Sequence, residues 1–165
     1  EIARKYFYLD DLIDEYGADR LGLYNDDGRV FLSAEGKKYD AILNDAFSGE
    51  VPVGTLATIE AAQIFKNRLN EGGVYMSNVL GAVDGDRGRF LRSEVETLKQ
   101  VFKHVYVLPT HEQELEDFSN WMVVATDNDK YTPKTAVKVE TDGNEMVLTD
   151  DYCPIESMVG VDYFE

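Results

Sequence analysis

One cysteine, Cys153, and two histidines are all that this 165-residue chain holds of the residues that make disulfides and bind soft metals. A lone cysteine excludes an internal disulfide and fits a reducing, cytoplasmic setting. His104 and His111 stand seven apart with no further ligands at metal spacing, so no metal is expected. Apolar runs stop after a few residues, far short of the roughly 20 that a bilayer helix needs, and no membrane partner is expected. Nor does a basic stretch followed by an apolar run and a small-residue cleavage site open the chain, so nothing marks it for export. Positive charge is scarce as well: 16 Lys and Arg face 32 Asp and Glu, a net charge of −16. Such a surface repels a phosphate backbone, which argues against nucleic acid as a partner. A solvated acidic surface and one tuned to cationic substrates or salt would both produce the imbalance. There is no G-x-S-x-G motif, and Cys153 has no placed histidine, so nucleophilic hydrolysis is not indicated.

What is present reads as one globular domain over residues 1–165, with 44% hydrophobic residues and no repeat or linker-like stretch. The spacing of Ile2, Tyr6, Leu9, Ile13 and Tyr16 predicts an opening helix that Gly17 stops. Residues 20–26 alternate like a short strand, and residues 27–36 offer an acid, a glycine and a helical turn. "YDAILNDAF" (39–47) reads as a buried strand. A helix over 58–73 turns Ile59, Ala62, Phe65 and Leu69 inward, with Gly72 past its end. Strands follow at 73–81, 104–110 and 120–127, with a helix over 88–103 that aligns Leu91, Val95, Leu98 and Phe102. The last two strands lack a strong helix between them and are expected to pair antiparallel. The tail holds a β-like pair around Asp142-Gly143 and an apolar coda, "YCPIESMVGVDYF", expected to pack on the body.

Strands alternating with helices of ten or more residues imply an α/β fold of the Rossmann-like, doubly wound kind. Its sheet is mostly parallel, with an antiparallel last strand. Ligands in such sheets sit beyond the carboxyl ends of the strands. Three acidic spots fall there: Asp26 and Asp27, Asp45, and the loop between Asn78 and Gly88. A carboxylate in Asp45's place takes a proton from an amine or holds a cationic centre, and Asp before Ser-Gly also starts turns. Spacing leaves both roles open. Asp27-Gly28 is open in the same way, between a nucleobase contact and a common turn dipeptide. "GAVDGDRG" (81–88) does not match a phosphate loop, and Asp84 and Asp86 would repel one.

The segments "EIARKYF", "DGRVFL", "YDAILNDAFSGEVPVGTLATIEAAQIFKNRLNEGGVYMSNVLG" and "LTDDYCPIE" resemble, in this order, the spermidine synthase-like proteins, which have the class I S-adenosylmethionine-dependent methyltransferase fold. The resemblance spans nearly the whole chain. It implies that Asp27, with Gly28, lies by the adenine of a nucleoside co-substrate, S-adenosylmethionine or its decarboxylated form. It implies that Asp45 contacts that co-substrate and deprotonates the attacking amine. The implied reaction is transfer of an aminopropyl or methyl group to a small-molecule amine, by a protein that is commonly a homodimer. Polyamine synthases carry a second acid just after the catalytic one; Ser48 stands at that position here, with Glu50 as a nearby substitute for holding the substrate.

The resemblance also implies that the family's Gly-rich loop, its first strands and its ribose-binding acid lie upstream of Glu1. The chain is thus expected to be the C-terminal portion of the catalytic domain, truncated at the N-terminus. Two family strands would normally lie between residues 20–26 and 39–47. Their absence predicts a gap, filled by a longer protein or another chain, or closed by an unfamiliar pairing. A non-catalytic binding or dimerisation module on the same fold is the competing expectation.

Overall fold

In a computed structural model, the structure describes residues 2–17, 19–34, 36–49, 51–141 and 145–159. Two short helices, α1 (Ile2–Tyr6) and α2 (Leu9–Tyr16), replace the single opening helix, because Tyr8 takes a left-handed backbone (φ 57°) and breaks the run. Gly17 ends α2 as expected, at φ 90°, with its N–H donating to the Ile13 carbonyl. Residues 21–25 form no strand, and Leu23 and Tyr24 are exposed. An alternating segment needs a partner strand to become one, and none pairs with it among the described residues. Helix α3 (Gly28–Ser33) follows, and Asp27 caps it by accepting from the Val30 N–H at 2.9 Å.

The sheet is built from β1 (Tyr39–Asn44), β4 (Leu69–Gly81), β5 (His104–Pro109) and β6 (Ser119–Thr126), in the order β1-β4-β6-β5. β1 and β4 are parallel, while β6 runs antiparallel to both β4 and β5. Three strands therefore share a direction and one opposes them. A small hairpin, β2 (Phe47–Ser48) with β3 (Val51–Pro52), lies between β1 and α4 (Ile59–Arg68). Thr58 caps α4 through the Ala61 N–H. α4 gives way at Leu69 to β4, four residues earlier than the apolar pattern suggests. Gly72 at φ 75° and Gly73, pressed against the Asn70 and Asp40 carbonyls, take up the register shift between β1 and β4.

The core lies between the sheet and helices α4 and α5 (Arg89–Lys99). Register puts Ile42 beside Tyr75, Tyr75 beside Ala125, and Val79 beside Trp121 on that covered face, where Phe65 of α4 stacks on the Tyr75 ring at 4.8 Å. Leu91, Val95, Leu98 and Phe102 are buried as their spacing predicts. α5 is also covered on its outer side. The Met146 and Leu148 amides donate to Ser93 Oγ and Thr97 Oγ1, and the fully buried Leu148 seals the contact. Ile155 and Met158 of α6 (Ile155–Met158) complete the packing expected of the coda. The turn of the hairpin expected in the tail, at 142–144, lies outside the described residues; among the described residues before it, Val137 makes an isolated bridge to Val107.

β1 differs from the buried strand its sequence suggests. Only β4 pairs with it among the described strands, and Leu43 stays 60% exposed. Where a gap is expected on this side of the sheet, no described strand pairs with the outer edge of β1, and residues 20–26 do not reach it as a strand.

Candidate functional site

Beyond the carboxyl end of β1 lies a cavity of about 370 Å³, walled by Leu32, Ile42, Leu56, Phe65 and Tyr75 and rimmed by Gly28 and residues 44–46. Gly28 and Asp45, far apart in sequence, thus meet at one cavity. Asn44 ends β1 with its Oδ1 accepting from the Ala46 N–H (3.3 Å), a local turn that carries Asp45 round the strand end. Asn78 Nδ2, one strand over on β4, donates to Asp45 Oδ1 at 2.8 Å. That contact fixes the carboxylate's orientation and leaves it at the exposed rim. Asp27 flanks the cavity through Gly28 and spends Oδ1 on the α3 cap, a helix start rather than the turn considered for it.

Ser48 is exposed in β2, paired with Val51, and does not line the cavity. Glu50 lies outside the described residues. Asn78 belongs to β4 rather than to the loop that follows, which begins after Gly81. Among the described residues no group of three or more His, Cys, Asp and Glu could hold a metal ion, and no helix is long and apolar enough to cross a membrane.

One wall is tied down by charge. Arg29, the residue after Gly28, grips Asp150 of the tail through both terminal nitrogens (2.7 and 2.6 Å) and donates to the Thr55 carbonyl. Thr58 Oγ1 donates to the same carboxylate at 2.7 Å, and the Asp150 N–H donates to Glu60. The Arg29 hydrogen bond, opposed by desolvation and joined by Thr58, holds the Asp150 carboxyl below the usual range. α3, the start of α4 and the tail are thereby locked together behind the cavity.

Three solved structures share this architecture. A probable spermidine synthase from Corynebacterium glutamicum superposes with a TM-score of 0.61 at 23% identity, covering 76% of this chain and 46% of its own. Spermidine synthase from Thermotoga maritima gives 0.56 at 18% identity, covering 84% and 48%. A spermidine synthase in complex with the transition-state analogue AdoDATO gives 0.59 at 18%, covering 84% and 49%. The fold is that of the spermidine synthases. The chain spans just under half the length of these structures. No family model and no curated protein matches the sequence.

Within the spermidine synthase fold, Asn44 and Tyr75 are cavity residues that sequence patterning does not single out. Asn44 reads as the polar end of a strand, and Tyr75 as one more strand aromatic. Tyr75 pairs in register with Ile42, so its ring reaches the cavity from the neighbouring strand.

Proposed function

We propose that this chain carries the base-bearing part of a spermidine synthase-like transferase site, with Asp45 as the base. The co-substrate is a sulfonium nucleoside, S-adenosylmethionine or its decarboxylated form, and the acceptor is a small-molecule amine. The meeting of Gly28 and Asp45 at one cavity carries this reading. The cavity's volume falls in the roughly 300–1,000 Å³ range of small-molecule sites. Its apolar walls suit a flat ring, and the one acid at its rim among the described residues, Asp45, suits a cation, so the residues present fit such a nucleoside.

Bound there, the nucleoside supplies an electrophilic carbon bonded to positive sulfur. Asp45 takes the acceptor's proton, because an ammonium has no lone pair with which to attack. The new N–C bond forms as the C–S bond breaks, and the electron pair of that bond goes to sulfur. Asn78 holds the Asp45 carboxylate towards the acceptor, which lowers the entropy cost of alignment. Asp27 and Gly28 bound the nucleobase end. The edge of β1, which only β4 pairs among the described strands, supports a homodimer or a completing segment.

The exposure of Ser48 and the capping duty of Asp27 favour a second reading, a non-catalytic binding or dimerisation module. A transfer assay on the full-length protein separates them. With decarboxylated S-adenosylmethionine and a diamine, release of the thioether nucleoside with a lengthened amine is the expected result. Methylated product from S-adenosylmethionine would assign methyl transfer instead. Absence of product with both would leave the module reading.

A further inference from the structure

A second cavity, of about 590 Å³, lies near the start of β1, the end of the strand opposite Asp45. The ends of α3 and α4 and the segment leading into β1 enclose it. Leu32 and Ile64 give it apolar walls, and Lys38, Asn67 and Arg68 give it a polar side. Acids outnumber Lys and Arg 32 to 16 in the chain, yet none of the described residues lining this cavity is Asp or Glu.

Arg68, the last residue of α4, is only 9% exposed. A guanidinium carries five N–H donors. Among the described residues this one makes a single hydrogen bond, from Nη1 to the Ala34 carbonyl, and Nε is shut from water without a partner. Neither Arg68 nor Lys38 enters an ion pair among the described residues. The Tyr39 ring lies 5.6 Å from the guanidinium carbon, and the carbonyl end of α4 is close by, so a π face and a helix dipole offset part of the charge. Both supply only fractional charge. The chain matches its other well-covered guanidinium groups with a carboxylate: Arg92 meets Glu145, and Arg29 meets Asp150. Arginine does not shed its charge on burial, so a covered one without a carboxylate calls for an anion.

We propose that this cavity binds a small-molecule oxyanion, a carboxylate or phosphoryl group held by Arg68 and Lys38, with any apolar part of the ligand against Leu32 and Ile64. The two cations suit the task differently. A guanidinium grips two oxygens at once, and a lysine brings a movable point charge. Gly36 keeps the approach open, since a Cβ there would stand 3.3 Å from Arg68 Nη2. Asn67 Oδ1 accepts from Gln63 at 3.2 Å, which leaves the Asn67 amide N–H groups to donate to an anion. The volume falls within the roughly 300–1,000 Å³ of small-molecule sites. Leu32 belongs to the walls of both cavities, but Gly36 and Asn67 line only this one, and Gly28 and Ala46 only the other. The proposal does not rest on the transferase reading.

Amide-resolved NMR titration and thermal unfolding of the full-length protein test this, with inorganic phosphate and succinate as probes and chloride holding ionic strength constant. Wild type should show saturable shifts at Gly36 and Asn67 and a midpoint that climbs with the logarithm of probe concentration. A response to phosphate alone assigns a phosphoryl ligand, and one to succinate alone a carboxylate; either supports the site. Arg68→Gln should weaken binding by about tenfold or more, the worth of a charge-assisted hydrogen bond. Lys38 is exposed, so Lys38→Gln should fold normally and still bind more weakly than wild type. Glu35 lies outside the described residues, and Glu35→Gln should bind as wild type does. No saturable response to either probe in wild type would overturn the proposal. So would shifts at Gly28 and Ala46 in place of Gly36 and Asn67, equal affinity in wild type and Lys38→Gln, or a response that only Glu35→Gln shows, which would make the chain's own acid the counter-ion.

Discussion

Asp45→Asn is expected to lower kcat by about 10²- to 10⁴-fold in transfer-competent full-length protein, the usual worth of a positioned general base. The side chains are nearly isosteric, and an amide oxygen can still accept from Asn78, so the thermal midpoint should hardly move. The pH profile gives a sharper signature. Without the base, the acceptor loses its proton only to solvent, so the residual rate should climb as pH approaches the free amine's pKa, near 10 for an alkylammonium. Wild type should level off earlier. Full turnover in Asp45→Asn, with the wild-type profile, would remove Asp45 from the mechanism.

Arg92→Ala has the largest expected effect on stability. Arg92 Nε meets Glu145 Oε1 at 2.6 Å with both side chains almost entirely buried, at 2% and 4% exposure. The same guanidinium donates to the Val83 and Gly85 carbonyls, so one side chain joins α5, the tail and the loop after β4. Truncation takes the guanidinium away from a buried carboxylate and costs about 3–5 kcal/mol, whereas replacing the whole pair with apolar residues is often close to neutral. Denaturant midpoints should show a large drop for Arg92→Ala and recovery of most of it in Arg92→Met combined with Glu145→Leu. A cost under about 1 kcal/mol for Arg92→Ala would contradict this account of the tail.

The elements legible in the sequence are those whose pattern and partners lie inside this chain. α5, β5 and β6 keep close to their expected spans because each has a neighbour to bury its apolar side against. Residues 20–26 show the converse. Their alternation describes a strand, yet a strand is a property of a pair, and no strand among the described residues pairs with them. The break between α1 and α2 carries no glycine or proline signal; it comes from the backbone of Tyr8. At the site, the rule that ligands gather beyond strand ends points to Asp45, the resemblance adds Gly28, and the two line one cavity. That rule does not reach Tyr75, which enters the cavity by strand register, and it places Asn78 in the following loop rather than on β4.

The central claim is that a sulfonium nucleoside binds beyond β1, with Asp45 at its reacting end. An amide-resolved NMR titration of the full-length protein with S-adenosylmethionine and its decarboxylated form tests this most directly. The account predicts saturable shifts at Gly28, Leu32, Asp45 and Ala46, around the 370 Å³ cavity. Shifts confined to the opposite end of the sheet, around Lys66, Asn70 and Asp127, or none that saturate, would contradict it.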